Sequence, residues 1–67
     1  MTVRQRMVKR LTRFREERGL SQTELAAKAR ISREYLWRLE AGRQDPTLGT
    51  LEKLAKALKV KVTELLE

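Results

Sequence analysis

Apolar residues recur along most of the chain at the three- and four-residue spacing of an amphipathic helix. Val3, Met7, Leu11 and Phe14 fall within about one quarter of a helical surface at about 100° per residue. The preceding Thr2-Val3-Arg4-Gln5 has the spacing of a capping box, and Gly19 supplies a C-terminal stop, so a first helix is predicted from Thr2 to near Arg18. A second box, Ser21-Gln22-Thr23-Glu24, opens a short helix whose inner face is Leu25, Ala26 and Ala29. The small Ala26 lets a neighbouring helix cross closely.

After the connector Arg30-Ile31-Ser32, Ser32 is placed to cap a third helix running from Arg33 to about Ala41, which Gly42 stops. With Arg33 at zero, Trp37, Glu34 and Arg38 fall at about 40°, 100° and 140°, and Tyr35, Leu39 and Leu36 at about 200°, 240° and 300°. One face is polar and bears the arginines; the other is apolar. Arg43 to Pro46 read as a loop, and Thr47 caps a fourth helix with the stripe Leu48, Leu51, Leu54, Ala55 and Leu58. Val60 to Thr63 alternates like a strand, but a lone strand has no partner, so a short fifth helix over Val62 to Leu66 is expected instead. The pattern as a whole predicts an all-α chain of five helices.

Composition narrows what such a bundle can do. Sixty-seven residues suit one compact domain over 1–67 and leave no room for a second, so a single module is expected to carry the function. The formal charge of +7 points to an anionic partner, with nucleic acid the commonest for a compact basic domain. Most of the excess lies before Leu20, where seven Lys and Arg face two Glu; that face is read as solvated, adding general attraction to DNA. Binding to an acidic membrane would need large aromatics on the apolar face, and Phe14 stands there alone.

The chain has no Cys and no His, which removes disulfides, thiolate and imidazole metal sites and His-based catalysis. With no acid cluster, nucleophile or phosphate-cradling glycine loop either, no enzyme and no cofactor is expected. The absence of a long apolar run and of a signal-peptide start predicts a cytoplasmic protein.

Two short helices joined by a three-residue turn, the second apolar behind and basic in front, meet the needs of a major-groove reader. The stretch LSQTELAAKARISREYLWRLEAGRQDPTLGTLEKLAKALKVKVTELL, from Leu20 to Leu66, resembles the xenobiotic response element family, which includes the lambdoid phage repressors and Cro. The resemblance extends back to REERGLSQ. It implies a compact five-helix, lambda-repressor-like fold with the helix-turn-helix motif at about 22–41, and a sequence-specific regulator of transcription that binds double-stranded DNA.

Carried over position by position, the resemblance gives Gln22 a phosphate through its amide and backbone N–H. Arg33, Glu34 and Arg38 match base-reading positions, Arg33 first because bidentate Arg to guanine is the commonest specific contact. Glu34 either accepts from a cytosine amine or orients an arginine. Trp37, where the family often has a small residue, either touches a thymine methyl or sugar or folds against the Arg43 loop. Ser32, Arg43 and Gln44 match positions near the sugar-phosphate backbone, and Arg15 and Glu40 match a structural ion pair between the first and third helices. Arg30 and Lys59 stand where the family often has Gly, at a cost of roughly 1 kcal/mol each if the backbone is left-handed.

The expected assembly is a homodimer on a near-palindromic operator, joined through Val60, Val62, Leu65 and Leu66 as spare apolar surface. The alternative is an antitoxin or bridging coactivator whose main partner is a toxin or other protein.

Overall fold

A computed structural model describes residues 1–67 as five helices and no strand: α1 (Val3–Glu17), α2 (Gln22–Ala29), α3 (Arg33–Glu40), α4 (Leu48–Leu58) and α5 (Val62–Leu66). Each of the first four starts on a Ser or Thr in extended backbone whose hydroxyl accepts the N–H three residues on: Thr2, Ser21, Ser32 and Thr47. In α1 and α2 the box closes reciprocally, with Gln5 and Glu24 accepting from the cap's own N–H.

The first four helices also end alike. After each, one residue turns left-handed and two backbone N–H groups reach back to the last turn's carbonyls, as Gly19 and Leu20 do to Glu16 and Arg15. Gly19 (φ 66°) and Gly42 (φ 73°) fill that position after α1 and α3, but Arg30 (φ 58°) and Lys59 (φ 59°) fill it after α2 and α4. The condition attached to those two residues therefore holds: both are left-handed. A second clamp joins the far ends of two helices, because Arg18 Nε donates to the Leu58 carbonyl at 2.6 Å and satisfies an orphan acceptor of α4.

Twelve apolar residues make one core, with Met7 and Leu11 from α1, Leu25, Ala26 and Ala29 from α2, Leu36 and Leu39 from α3, Leu51, Leu54, Ala55 and Leu58 from α4, and Leu65 from α5. The helix α2 packs on both α3 and α4, and Ala26 and Ala29 provide the close approach. The helix α5 lies against α1 and α4.

Three apolar expectations change. Val3 is 58% exposed, because the first turn of α1 stands at the open rim of a hollow shared with Pro46 and Leu66. Leu48 is 68% exposed, because it is the first residue of α4 and the stripe enters the core one turn later, at Leu51. Leu65 is fully buried, so it is a core residue and no part of a free dimer surface: in a helix of five residues the face turned to α1 claims it, and Val60, Val62 and Leu66 are left half-buried at the rim.

Candidate nucleic-acid interface

Helix α3 is fixed from behind and open in front. Leu36 and Leu39 are fully buried, whereas Arg33, Glu34 and Trp37 are exposed and Arg38 is half-buried beside them. Its eight residues span about 12 Å, and a helix of about 10–12 Å diameter fits the width of the major groove. Its N-terminus is set by Ser32, whose Oγ accepts the Tyr35 N–H at 3.0 Å.

Below the exposed face, Arg15 grips Glu40 with two guanidinium bonds of 2.8 and 3.1 Å and donates a third, at 2.8 Å, to the Leu20 carbonyl. The pair ties α1 to the last residue of α3 and is largely shielded from water, with side-chain exposures of 14% and 7%. Gln22 joins it: its Nε2 donates to Glu40 Oε1 at 3.2 Å, so the first side chain of α2 is held in place by the last of α3. This bond sets the Gln22 amide beside the α2 N-terminus, where backbone N–H groups are unsatisfied.

Two cations of the front face lie over aromatic rings. The Arg38 guanidinium lies 6.0 Å from the Tyr35 ring centre, and Arg43 lies 5.5 Å from that of Trp37. Of the two positions open to Trp37, the side chain takes the one against the Arg43 loop, and it stays 46% exposed. Gly42 enables that stacking, since its left-handed turn sends the Arg43 backbone N–H back to the Arg38 carbonyl at 2.9 Å. Gln44 is half-buried in the same loop.

Residue patterns gave no sign of a polar link from α3 to α4. Tyr35 Oη contacts Thr50 Oγ1 at 3.4 Å, and Thr50 shares a 3.0 Å bond with the cap Thr47. A hydroxyl pair so far apart in sequence has no periodic signature. Arg4 and Asp45, which pair across the surface at 2.6 and 2.9 Å, were equally invisible.

Several α1 cations lie away from the exposed face of α3. Arg6, Lys9, Arg10 and Arg13 line a shallow depression with Glu67, on the α5 side of the helix. No cluster of His, Cys, Asp or Glu fit to hold a metal occurs, and no helix is long and apolar enough to cross a membrane.

Comparison with known proteins agrees with this geometry. A family model described as helix-turn-helix matches residues 11–65. The chain is 43% identical to the HTH-type transcriptional regulator y4dJ of Sinorhizobium fredii, over 97% of this chain and 84% of that protein. It is 45% identical to the immunity repressor of Bacillus phage phi105, over 97% of this chain but 42% of the repressor, so it spans less than half of that relative's length. The crystal structure of the restriction-modification controller protein C.AhdI from Aeromonas hydrophila superposes with a TM-score of 0.87 at 35% identity, covering 90% of this chain and 91% of that one. The chain belongs to the helix-turn-helix family of transcriptional regulators, of the xenobiotic response element and lambda repressor type.

Proposed function

We propose that the chain regulates transcription by laying α3 in the major groove of an operator, with Arg33 and Arg38 reading guanines. The observation that supports this most is the two-sided character of α3: leucines locked in the core behind, and Arg33, Glu34, Trp37 and Arg38 outward. Glu34 accepts from a cytosine amine or steers an arginine. Trp37 and Arg43 act as one stacked unit at the C-terminal end of α3, with Arg43 toward phosphate and the indole edge toward sugar or a thymine methyl.

Gln22, Ser32 and Gln44 complete the phosphate contacts, Gln22 from its anchorage on Glu40. These contacts position the domain without reading sequence. The work is that of a cytoplasmic regulator with no catalytic step, on a near-palindromic site, as a homodimer meeting through the half-buried Val60, Val62 and Leu66.

The test is a salt series on two duplexes, one selected by the protein from a randomised pool and one of scrambled sequence. A groove reader loses affinity steeply for both as salt rises and keeps a gap between them. Equal binding to the two at every salt concentration would overturn the proposal and favour a protein partner.

A further inference from the structure

A second basic surface stands apart from the front of α3. Lys28 and Arg30 from the end of α2 and Lys53, Lys56 and Lys59 from α4 line one shallow depression, floored by Ala29 and Ala57. All five cations are exposed, and none has a carboxylate within ion-pair distance. The nearest acids along the helices, Glu24 and Glu52, sit one turn from Lys28 and Lys56 and pair with neither.

The helix ends single out this patch. Four helices close with the same left-handed turn, and two of them use Gly. The other two use Arg30 and Lys59, the two non-glycine residues of the chain at positive φ, and both line this depression. A cation is welcome at a helix C-terminus, but the left-handed backbone opposes any side chain there. That opposition is accepted twice, and both times the side chain adds positive charge to one patch.

We propose that these five residues grip the sugar-phosphate backbone of the duplex beyond the bases that α3 reads, on the side of the α3 N-terminus. The proposal rests on the DNA reading above. Duplex DNA is the occupant because the chain runs from the patch directly into the α3 N-terminus: Arg30 lies two residues before the cap Ser32 and three before Arg33. Lys53, Lys56 and the C-cap Lys59 then extend along α4 over about 9 Å, a spread of positive charge suited to a run of backbone phosphates. Flanking duplex that bends toward the domain meets α2 first and α4 next.

The test compares two triple variants of equal charge change, Lys53→Gln/Lys56→Gln/Lys59→Gln and Arg6→Gln/Lys9→Gln/Arg10→Gln. The probe is a duplex of about 30 bp, some three helical turns, selected by the wild-type chain and then trimmed from either end. Wild type should lose affinity about tenfold when the flank is removed, and the α4 variant should show that loss already on the full duplex and be indifferent to trimming. Its salt slope should fall by about one for each phosphate no longer neutralised, whereas the α1 variant keeps the flank dependence. In addition, Arg30→Gly should raise the melting temperature while weakening binding to the full duplex. Equal losses for the two triples, or no flank dependence in wild type, would overturn the patch and leave the α3 reading intact. Failure of the wild type to select any duplex would bring down both.

Discussion

The proposed mode of DNA binding divides the labour of recognition between Arg33 and Gln22, and the difference between them can be measured. Arg33 is exposed at the first turn of α3 and free of carboxylate partners, so Arg33→Ala should cost about 1–3 kcal/mol at one base pair and relax preference there. Gln22 is bonded to Glu40 and sits on the α2 N-terminus, so Gln22→Ala should weaken all duplexes alike. A base-substitution series read for both variants checks the pair: a uniform loss for Arg33→Ala would assign that residue to phosphate. Lys59 gives a residue-scale prediction about stability. Replacing its left-handed side chain with Gly should stabilise the fold by about 1 kcal/mol, or about 4–8 °C in a domain this small, as thermal unfolding would show. At this scale the sequence was partly legible. The positions of Arg30 and Lys59 stood out against the family's Gly, but their meeting in one depression did not, because α2 and α4 are joined there by packing and not by sequence.

At the scale of elements, caps and stripes identified the first four helices, since hydroxyl caps, left-handed stops and apolar periodicity are local signals, while α5 followed only from the lack of a partner for a lone strand. The stripes overreached at helix starts, where Val3 and Leu48 keep the period but lie beyond the reach of neighbouring elements. The α2 capping box should carry a pH signature. The Ser21 backbone N–H, and then its hydroxyl, hold the Glu24 carboxyl below its ordinary value. A carboxylate with a lowered folded-state pKa stabilises fully above its unfolded value, and that stabilisation fades as the pH falls through the ordinary carboxylate range and below. Glu24→Gln keeps an acceptor for the Ser21 N–H without the charge and should flatten this part of a melting-temperature profile against pH. The tie between α1 and α3 is of a different kind: Glu40→Ala leaves the Arg15 guanidinium shielded and unpaired and should cost about 2–3 kcal/mol, below the full penalty of a deeply buried pair. It also frees Gln22, so chemical denaturation and DNA titration should both report the change, the second by more than the loss of folded protein explains.

For the whole molecule, the geometry of a two-fold site limits how two copies can touch. Half-sites one helical turn apart hold the α3 copies about 34–36 Å from each other, whereas the longest Cα extent of the chain is 28 Å. Two copies on the proposed two-fold site would therefore touch near their edges, which favours an interface at the small end of the range for stable complexes. With Leu65 committed to the core, the apolar rim left for that contact is Val60, Val62 and Leu66, and Leu66 continues into the hollow lined by Val3 and Pro46. A contact this small predicts weak association in free solution that strengthens on DNA, where the site supplies the alignment. Val62→Asp/Leu66→Lys tests it; because both side chains also pack on the core, thermal unfolding of the variant is measured first, and the comparison is made where it stays folded. Sedimentation should show the wild-type mass rising with concentration above the monomer's 7.9 kDa and the variant staying at it. On a two-fold duplex the variant should lose cooperativity, while on an isolated half-site the two proteins bind alike. Unchanged association in the variant would move the interface to another face.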